Sequence, residues 1–65
     1  MKKIKLNLVG IDGNAFSLMG AFKKAALNQG WNKEEINVVL DTCMSGDYNN
    51  LIRTLDSYCI EEDDL

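Results

Sequence analysis

The sequence contains no histidine and no proline, and its only two cysteines are Cys43 and Cys59. Without an imidazole base, neither a serine nor a cysteine is readily activated as a nucleophile. A structural zinc site needs four nitrogen or sulfur ligands, usually supplied in close pairs, and these two cysteines cannot provide them. We therefore expect no catalytic residue, no metal site and no cofactor, and a protein that is not an enzyme.

The sequence also lacks a long apolar run. No stretch approaches the roughly 20 apolar residues of a membrane-spanning helix, so we expect no membrane association. The segment Met1 to Lys3 leads into an alternating pattern rather than the apolar block of a secretory signal. This favours a cytoplasmic location, where thiols stay free and reduced.

Charge is distributed unevenly along the chain. The first 31 residues carry five lysines and one aspartate, whereas the remaining residues carry nine acids against Lys33 and Arg53. A nucleic-acid-binding domain typically presents a basic patch over one face, which this balance does not predict. Nucleic-acid binding is therefore not expected, and mimicry of nucleic acid by the acidic half is a third hypothesis for function. Four of the acids lie in residues 61–65, a tail that we predict to be disordered.

The first element is a predicted strand over residues 3–9. Ile4, Leu6 and Leu8 alternate with polar residues, and this period of two is typical of a half-buried strand. The glycines, Asp and Asn of residues 10–14 then indicate a turn.

The first predicted helix spans residues 15–29. Asn14 is a favourable N-cap, and Gly30 is a favourable residue to follow the C-terminus. Its apolar residues recur with helical spacing at Ala15, Leu18, Met19, Phe22, Ala25 and Ala26, with Phe16 and Leu27 widening the stripe.

The second predicted helix has the strongest start signal. Asn32 and Glu35 form a capping-box pattern, and Trp31 and Ile36 are spaced as a hydrophobic staple. Gly46 is expected to close this helix.

The third predicted helix begins after Asp47 and reaches about Ile60. Its apolar face comprises Tyr48, Leu51, Ile52, Leu55, Tyr58 and Cys59. The expected architecture is α+β, mostly α: a single βααα domain over residues 1–60.

A single strand leaves its backbone groups unpaired, and an unpaired edge invites another chain. Domains this small also tend to need a partner or a staple for stability. We therefore predict a homo-oligomer in which the strands of two copies pair across a two-fold axis. The candidate self-association residues are Ile4, Leu6, Leu8 and Trp31. Trp31 is the aromatic residue expected to be partly exposed, because it lies at a helix junction, whereas the other aromatics are expected in the core.

The strand-to-helix loop offers a candidate ligand site at Gly10, Asp12, Gly13 and Asn14. Free amides at a helix N-terminus can bind anions. The spacing matches neither a P-loop nor a dinucleotide fingerprint, and Asp12 would repel an anion. Turn formation explains the same residues, with Asp and Asn as caps and Gly at positive φ.

Some of these residues resemble the patterns of two known groups of proteins. The pattern Gly30-Trp31, Glu34-Glu35-Ile36, Val39-Leu40, Gly46-Asp47 and Leu51 to Leu55 resembles ubiquitin-associated three-helix domains. That resemblance implies that the Gly30-Trp31 loop and the third helix face a partner. A second set, over residues 4–58, is similar to a small uncharacterised family of bacterial and phage proteins with no assigned activity. It comprises Gly13-Asn14-Ala15-Phe16, Leu18-Met19-Gly20-Ala21-Phe22, Gly30-Trp31 and Gly46-Asp47-Tyr48.

These observations favour a small non-enzymatic interaction module. The second resemblance implies a phage or mobile-element accessory protein that binds a host protein. The alternative is a small-ligand or nucleotide binder that uses the loop over residues 10–14.

Overall fold

The computed structural model describes residues 3–60, in which three helices pack together and a two-stranded sheet joins the ends of this range. This confirms an α+β fold that is mostly α. The predicted disordered tail, residues 61–65, lies outside the described residues. The elements in chain order are strand β1 (Ile4–Lys5), a 3-10 turn (Leu8–Gly10), helices α1 (Ala15–Asn28), α2 (Lys33–Met44) and α3 (Tyr48–Tyr58), and strand β2 (Cys59–Ile60).

Each helix begins at a polar cap, as the sequence predicts. The Asn14 side chain accepts a hydrogen bond from a backbone amide in the first turn of α1. In α2 the capping box is complete: Asn32 Oδ1 accepts from the Glu35 amide at 2.8 Å, and Glu35 Oε1 accepts from the Asn32 amide at 3.1 Å. Asp47 accepts from the Asn50 amide at 2.9 Å and starts α3. These bonds satisfy amides that have no partner within the helix.

Two glycines shape the corners between helices. Gly30 has φ +96°, a left-handed conformation that ends α1 and lets the Trp31 amide donate to the Ala26 carbonyl at 2.9 Å. At the next corner, a Cβ on Gly46 would lie 2.9 Å from the Cβ of Asn50. Gly46 therefore permits the close approach by which the Asn50 amide group donates to the Thr42 carbonyl at 2.8 Å.

The sequence prediction is wrong about the strands in two respects. The N-terminal strand covers only Ile4–Lys5, and the chain turns at Leu8–Gly10 where the strand was expected to continue. Helix α3 ends at Tyr58, and Cys59–Ile60 form a second strand that pairs in parallel with β1. Pairing with β1 supplies hydrogen bonds to both segments, which a further half turn of helix would not do.

Both sides of β1 form hydrogen bonds within the chain. On one side the Leu6 amide donates to the Ile60 carbonyl at 3.0 Å. On the other side the Gln29 side chain accepts from the Lys5 amide at 2.8 Å and donates to the Lys5 carbonyl at 3.0 Å. Gln29 thus occupies the edge that a further strand would use. The premise of an unpaired strand is wrong, and pairing between subunits remains a prediction.

The core lies between the three helices and β1. Three aromatic rings meet edge to face: Phe22 and Trp31 at 5.6 Å between centroids, Trp31 and Tyr58 at 5.9 Å, and Phe22 and Tyr58 at 6.4 Å. Such pairs each add about 0.5–1.5 kcal/mol beyond the area that they bury. The buried residues are Ile4, Leu18, Phe22, Ala26, Trp31, Ile36, Val39, Cys43, Leu51 and Leu55.

We expect Gln29→Ala to lower the free energy of unfolding by about 1 kcal/mol, because it removes two solvent-exposed side-chain-to-backbone bonds. Urea denaturation measures this loss, and Asn28→Ala is the matched control from the same exposed helix end. Light scattering on the same samples tests strand pairing between copies. An equal effect from both variants would contradict the role assigned to Gln29.

We expect Gly20→Ala to raise the free energy of unfolding by about 0.5–1 kcal/mol, since glycine is a poor helix former. Gly20 is exposed within α1, and an added Cβ would project into open space. Gly30→Ala is the contrasting variant and should destabilise the fold, because its φ is positive. Loss of stability in Gly20→Ala would show that the position is obstructed.

Candidate functional site

Large apolar side chains are exposed where the start of α1 meets the corner between α2 and α3. Phe16 is 80% exposed, Met44 is 60% exposed and Tyr48 is 48% exposed. Phe16 faces outward because it precedes the buried Leu18 by two positions, which is about 200° around a helix. We call these three residues the exposed apolar cluster.

A groove of about 290 Å³ lies within the exposed apolar cluster, and we call it the apolar groove. The half-buried Met19 forms part of its floor, as does the buried Cys43. The one ionisable carboxylate in its lining, Asp47, is already used as the N-cap of α3. Its lining comprises Ala15, Phe16, Met19, Cys43, Met44, Gly46, Asp47, Tyr48 and Leu51.

Tyr48 also lines a second cavity of about 230 Å³ on its other side. Its hydroxyl donates a hydrogen bond to the Gly13 carbonyl, which ties the start of α3 to the loop before α1. The second cavity is mainly apolar and contains one carboxylate, that of Asp56. Its lining comprises Leu6, Leu8, Ile11, Gly13, Leu18, Tyr48, Ile52, Asp56 and Cys59.

The predicted ligand loop is occupied by its own turn contacts. Asp12 Oδ1 accepts from the Asn14 amide at 3.4 Å, and Asn14 Oδ1 accepts from the Phe16 amide at 2.8 Å. Neither Gly10 nor Gly13 has the positive φ that was expected. Within residues 3–60, Gly30 is the one glycine with that conformation. The loop geometry is that of a capped helix start, and ligand binding there remains a prediction.

The structure separates the four predicted self-association residues. Ile4 is fully buried and Trp31 is only 7% exposed, so the partial exposure expected of Trp31 is wrong. The cause is the edge-to-face packing of Trp31 against Phe22 and Tyr58. Leu6 and Leu8 are half-buried and border the second cavity, and they do not adjoin the apolar groove.

Sequence reasoning missed the exposed apolar cluster. Phe16 was assigned to a widened core stripe, although Leu18, Phe22 and Ala26 already define a buried face whose centre lies about 120° around the helix from it. That angular offset was the available signal. The exposure of Met44 and Tyr48 depends on how α2 turns into α3, which a helical period alone does not determine.

Both cysteines are free thiols, with Cys43 buried and Cys59 half-buried. Burial raises the pKa of Cys59 to about 11, with smaller contributions from the charges of Asp56 and Cys43. Burial also raises the pKa of Cys43, against a backbone hydrogen bond that lowers it. A thiol with a raised pKa is a poor nucleophile at neutral pH.

The described part of the chain contains no group of three or more His, Cys, Asp or Glu residues placed to hold a metal ion. Among the helices of residues 3–60, none combines the length and the apolar character needed to cross a membrane.

Comparison of the chain with protein-family models, with curated proteins and with solved structures produced no match. The two resemblances noted from the sequence therefore remain predictions.

We expect the stability of the fold to decrease between pH 9 and pH 11 through Cys59. Below pH 9.0, the ordinary thiol pKa, the group is protonated in both folded and unfolded chains. As the pH rises, the unfolded chain loses the proton first, so the contribution of the protonated thiol is lost through the folded pKa of about 11.

The measurement is urea denaturation of the wild type and of Cys59→Ala across this pH range. The difference in unfolding free energy between the two should shrink as the pH rises. A constant difference would mean that Cys59 has the same pKa in both states.

Proposed function

We propose that this chain is a non-enzymatic interaction module that binds a protein partner through the exposed apolar cluster. The observation that carries the proposal is the 80% exposure of Phe16 beside the exposed side chains of Met44 and Tyr48. Three neighbouring large apolar side chains on a 65-residue domain are typical of a protein-binding surface. The groove among them gives a partner side chain a place to insert.

The chemistry of the cluster suits protein recognition. Aromatic residues and methionine are enriched at protein interfaces, and burying a phenylalanine side chain contributes about 1.5–3 kcal/mol. Methionine side chains adapt to irregular partner surfaces. Met19 and Met44 both line the groove, so it can adjust its shape to an inserted side chain.

The proposed partner is a host protein met in the cytoplasm by a phage or mobile-element accessory protein. That part of the proposal is supported by the resemblance carried by residues 4–58. Self-association through β1 is a separate prediction, and the bonds from Gln29 to Lys5 weigh against it.

We expect Phe16→Ser to reduce partner binding at least tenfold while leaving the free energy of unfolding within about 0.5 kcal/mol of the wild type. Phe16 is exposed, so its loss should not disturb the core. The matched control is Val38→Ser, which removes a 63% exposed apolar side chain that lies outside the groove lining.

The measurement is quantitative mass spectrometry of host proteins retained by immobilised wild type, Phe16→Ser and Val38→Ser. The proposal predicts proteins that are retained by the wild type and by Val38→Ser and are lost with Phe16→Ser. Identical retention by all three chains would exclude the exposed apolar cluster as the binding surface.

A further inference from the structure

A shallow depression of about 160 Å³ lies between α1 and α2, lined by Lys23, Lys33, Ile36 and Asn37. It shares no lining residue with the apolar groove. Helical spacing places the two on the same side of the helix pair, since Lys23 follows Phe16 by seven residues on α1 and Met44 follows Asn37 by seven residues on α2. The start of α1 faces the end of α2 in the apolar groove, and the second half of α1 faces the start of α2 in the depression. The two helices are therefore antiparallel, and we call the two depressions along them, taken together, the α1–α2 groove.

The α1–α2 groove has two chemically different ends. Its apolar end contains Phe16 and Met44, and its cationic end contains Lys23 and Lys33. Along α1 the distance from Phe16 to Lys23 is about 10 Å, or two helical turns, at 1.5 Å per residue. A ligand that fills the groove must therefore change from apolar to acidic over that distance.

The geometry points to one occupant: an amphipathic helix of a partner protein, with apolar side chains against Phe16 and Met44 and carboxylates against Lys23 and Lys33. This inference rests on the proposed function and specifies the partner's chemistry. Two antiparallel helices form a natural cradle for a third helix, whose anchors recur at i, i+3, i+4 and i+7. Opposite charges at the far end would fix its direction.

A second copy of this chain fits the groove poorly. Outside the exposed apolar cluster, the large exposed apolar side chains of residues 3–60 are Leu27 on α1 and Val38 on α2. Val38 lies between Glu34 and Asp41 on an acidic face of α2. Two apolar side chains on different helices do not supply the series of apolar anchors that the groove would accept. A nucleic acid would engage the two lysines and leave Phe16 and Met44 without apolar contacts.

The experiment selects displayed helical peptides of about 16 residues, roughly four turns, against the folded wild type. Leucine is fixed at i, i+4 and i+7, and the remaining positions are random. We expect enriched peptides to carry Asp and Glu clustered toward one end. The tightest of them is then synthesised, and its dissociation constant is measured at low ionic strength.

Charge reversal identifies the cationic end. The double variant Lys23→Glu/Lys33→Glu should raise the dissociation constant of the selected peptide by about tenfold or more at low salt, where electrostatic contacts are least screened. The matched control is Lys24→Glu/Lys3→Glu, which changes the net charge equally at exposed positions outside the groove lining. Equal weakening by both pairs would indicate long-range attraction and would overturn the inference.

The remaining outcomes separate the two proposals. Peptides that lose binding with Phe16→Ser, yet show no acidic bias and tolerate the reversal, would support the proposed function and overturn the acidic helix. If no peptide is enriched, but host proteins bind the wild type and fail to bind Phe16→Ser, the proposed function is likewise supported and the acidic helix is overturned. Peptides that bind Phe16→Ser as well as the wild type would contradict both. A concentration-dependent dimer abolished by Phe16→Ser would assign the groove to a second copy and overturn the inference.

Discussion

Phe22, Trp31 and Tyr58 contact one another edge to face, and each ring comes from a different part of the chain. Phe22 lies on α1, Trp31 follows the turn after α1, and Tyr58 is the last residue of α3. The cluster holds the end of α3 against α1, so that the next residues, Cys59–Ile60, come beside β1. The parallel strand pair therefore depends on where these three rings meet.

The same arrangement explains why one end of the molecule is closed and the other open. Around the aromatic cluster the backbone groups of Lys5 and Leu6 are bonded to Gln29 and Ile60. At the start of α1 the Asn14 side chain caps the helix, yet Phe16, Met44 and Tyr48 keep large apolar surfaces exposed. Because the caps and the core are complete without them, these side chains are available for contact with another molecule.

Local signals in the sequence were sufficient to predict the positions of the helices. They were insufficient to predict the strand pairing or which apolar side chains are exposed. The cap of Asn32 with Glu35, and the left-handed Gly30, involve residues a few positions apart, so the pattern predicts them directly. The pairing of Ile4 with Cys59 joins distant segments, and no local pattern distinguishes Cys59–Ile60 from one more half turn of α3. Trp31 was expected to be partly exposed and is buried, whereas Phe16 was expected in the core and is exposed, for a similar reason. Their burial is decided by how whole helices pack, and periodicity alone does not report it.

The contact between Ile4 and Cys59 also has a consequence for the order of folding. The turns between the helices are short, so α1, α2 and α3 can associate through contacts that are close in sequence, and such contacts form fastest. β1 precedes all three helices, and its partner strand follows all of them. During synthesis, a chain growing from its N-terminus therefore carries Ile4 without its partner strand until Cys59 and Ile60 have been added. β1 is therefore the first element to be synthesised and the one that waits longest for its hydrogen-bonding partner.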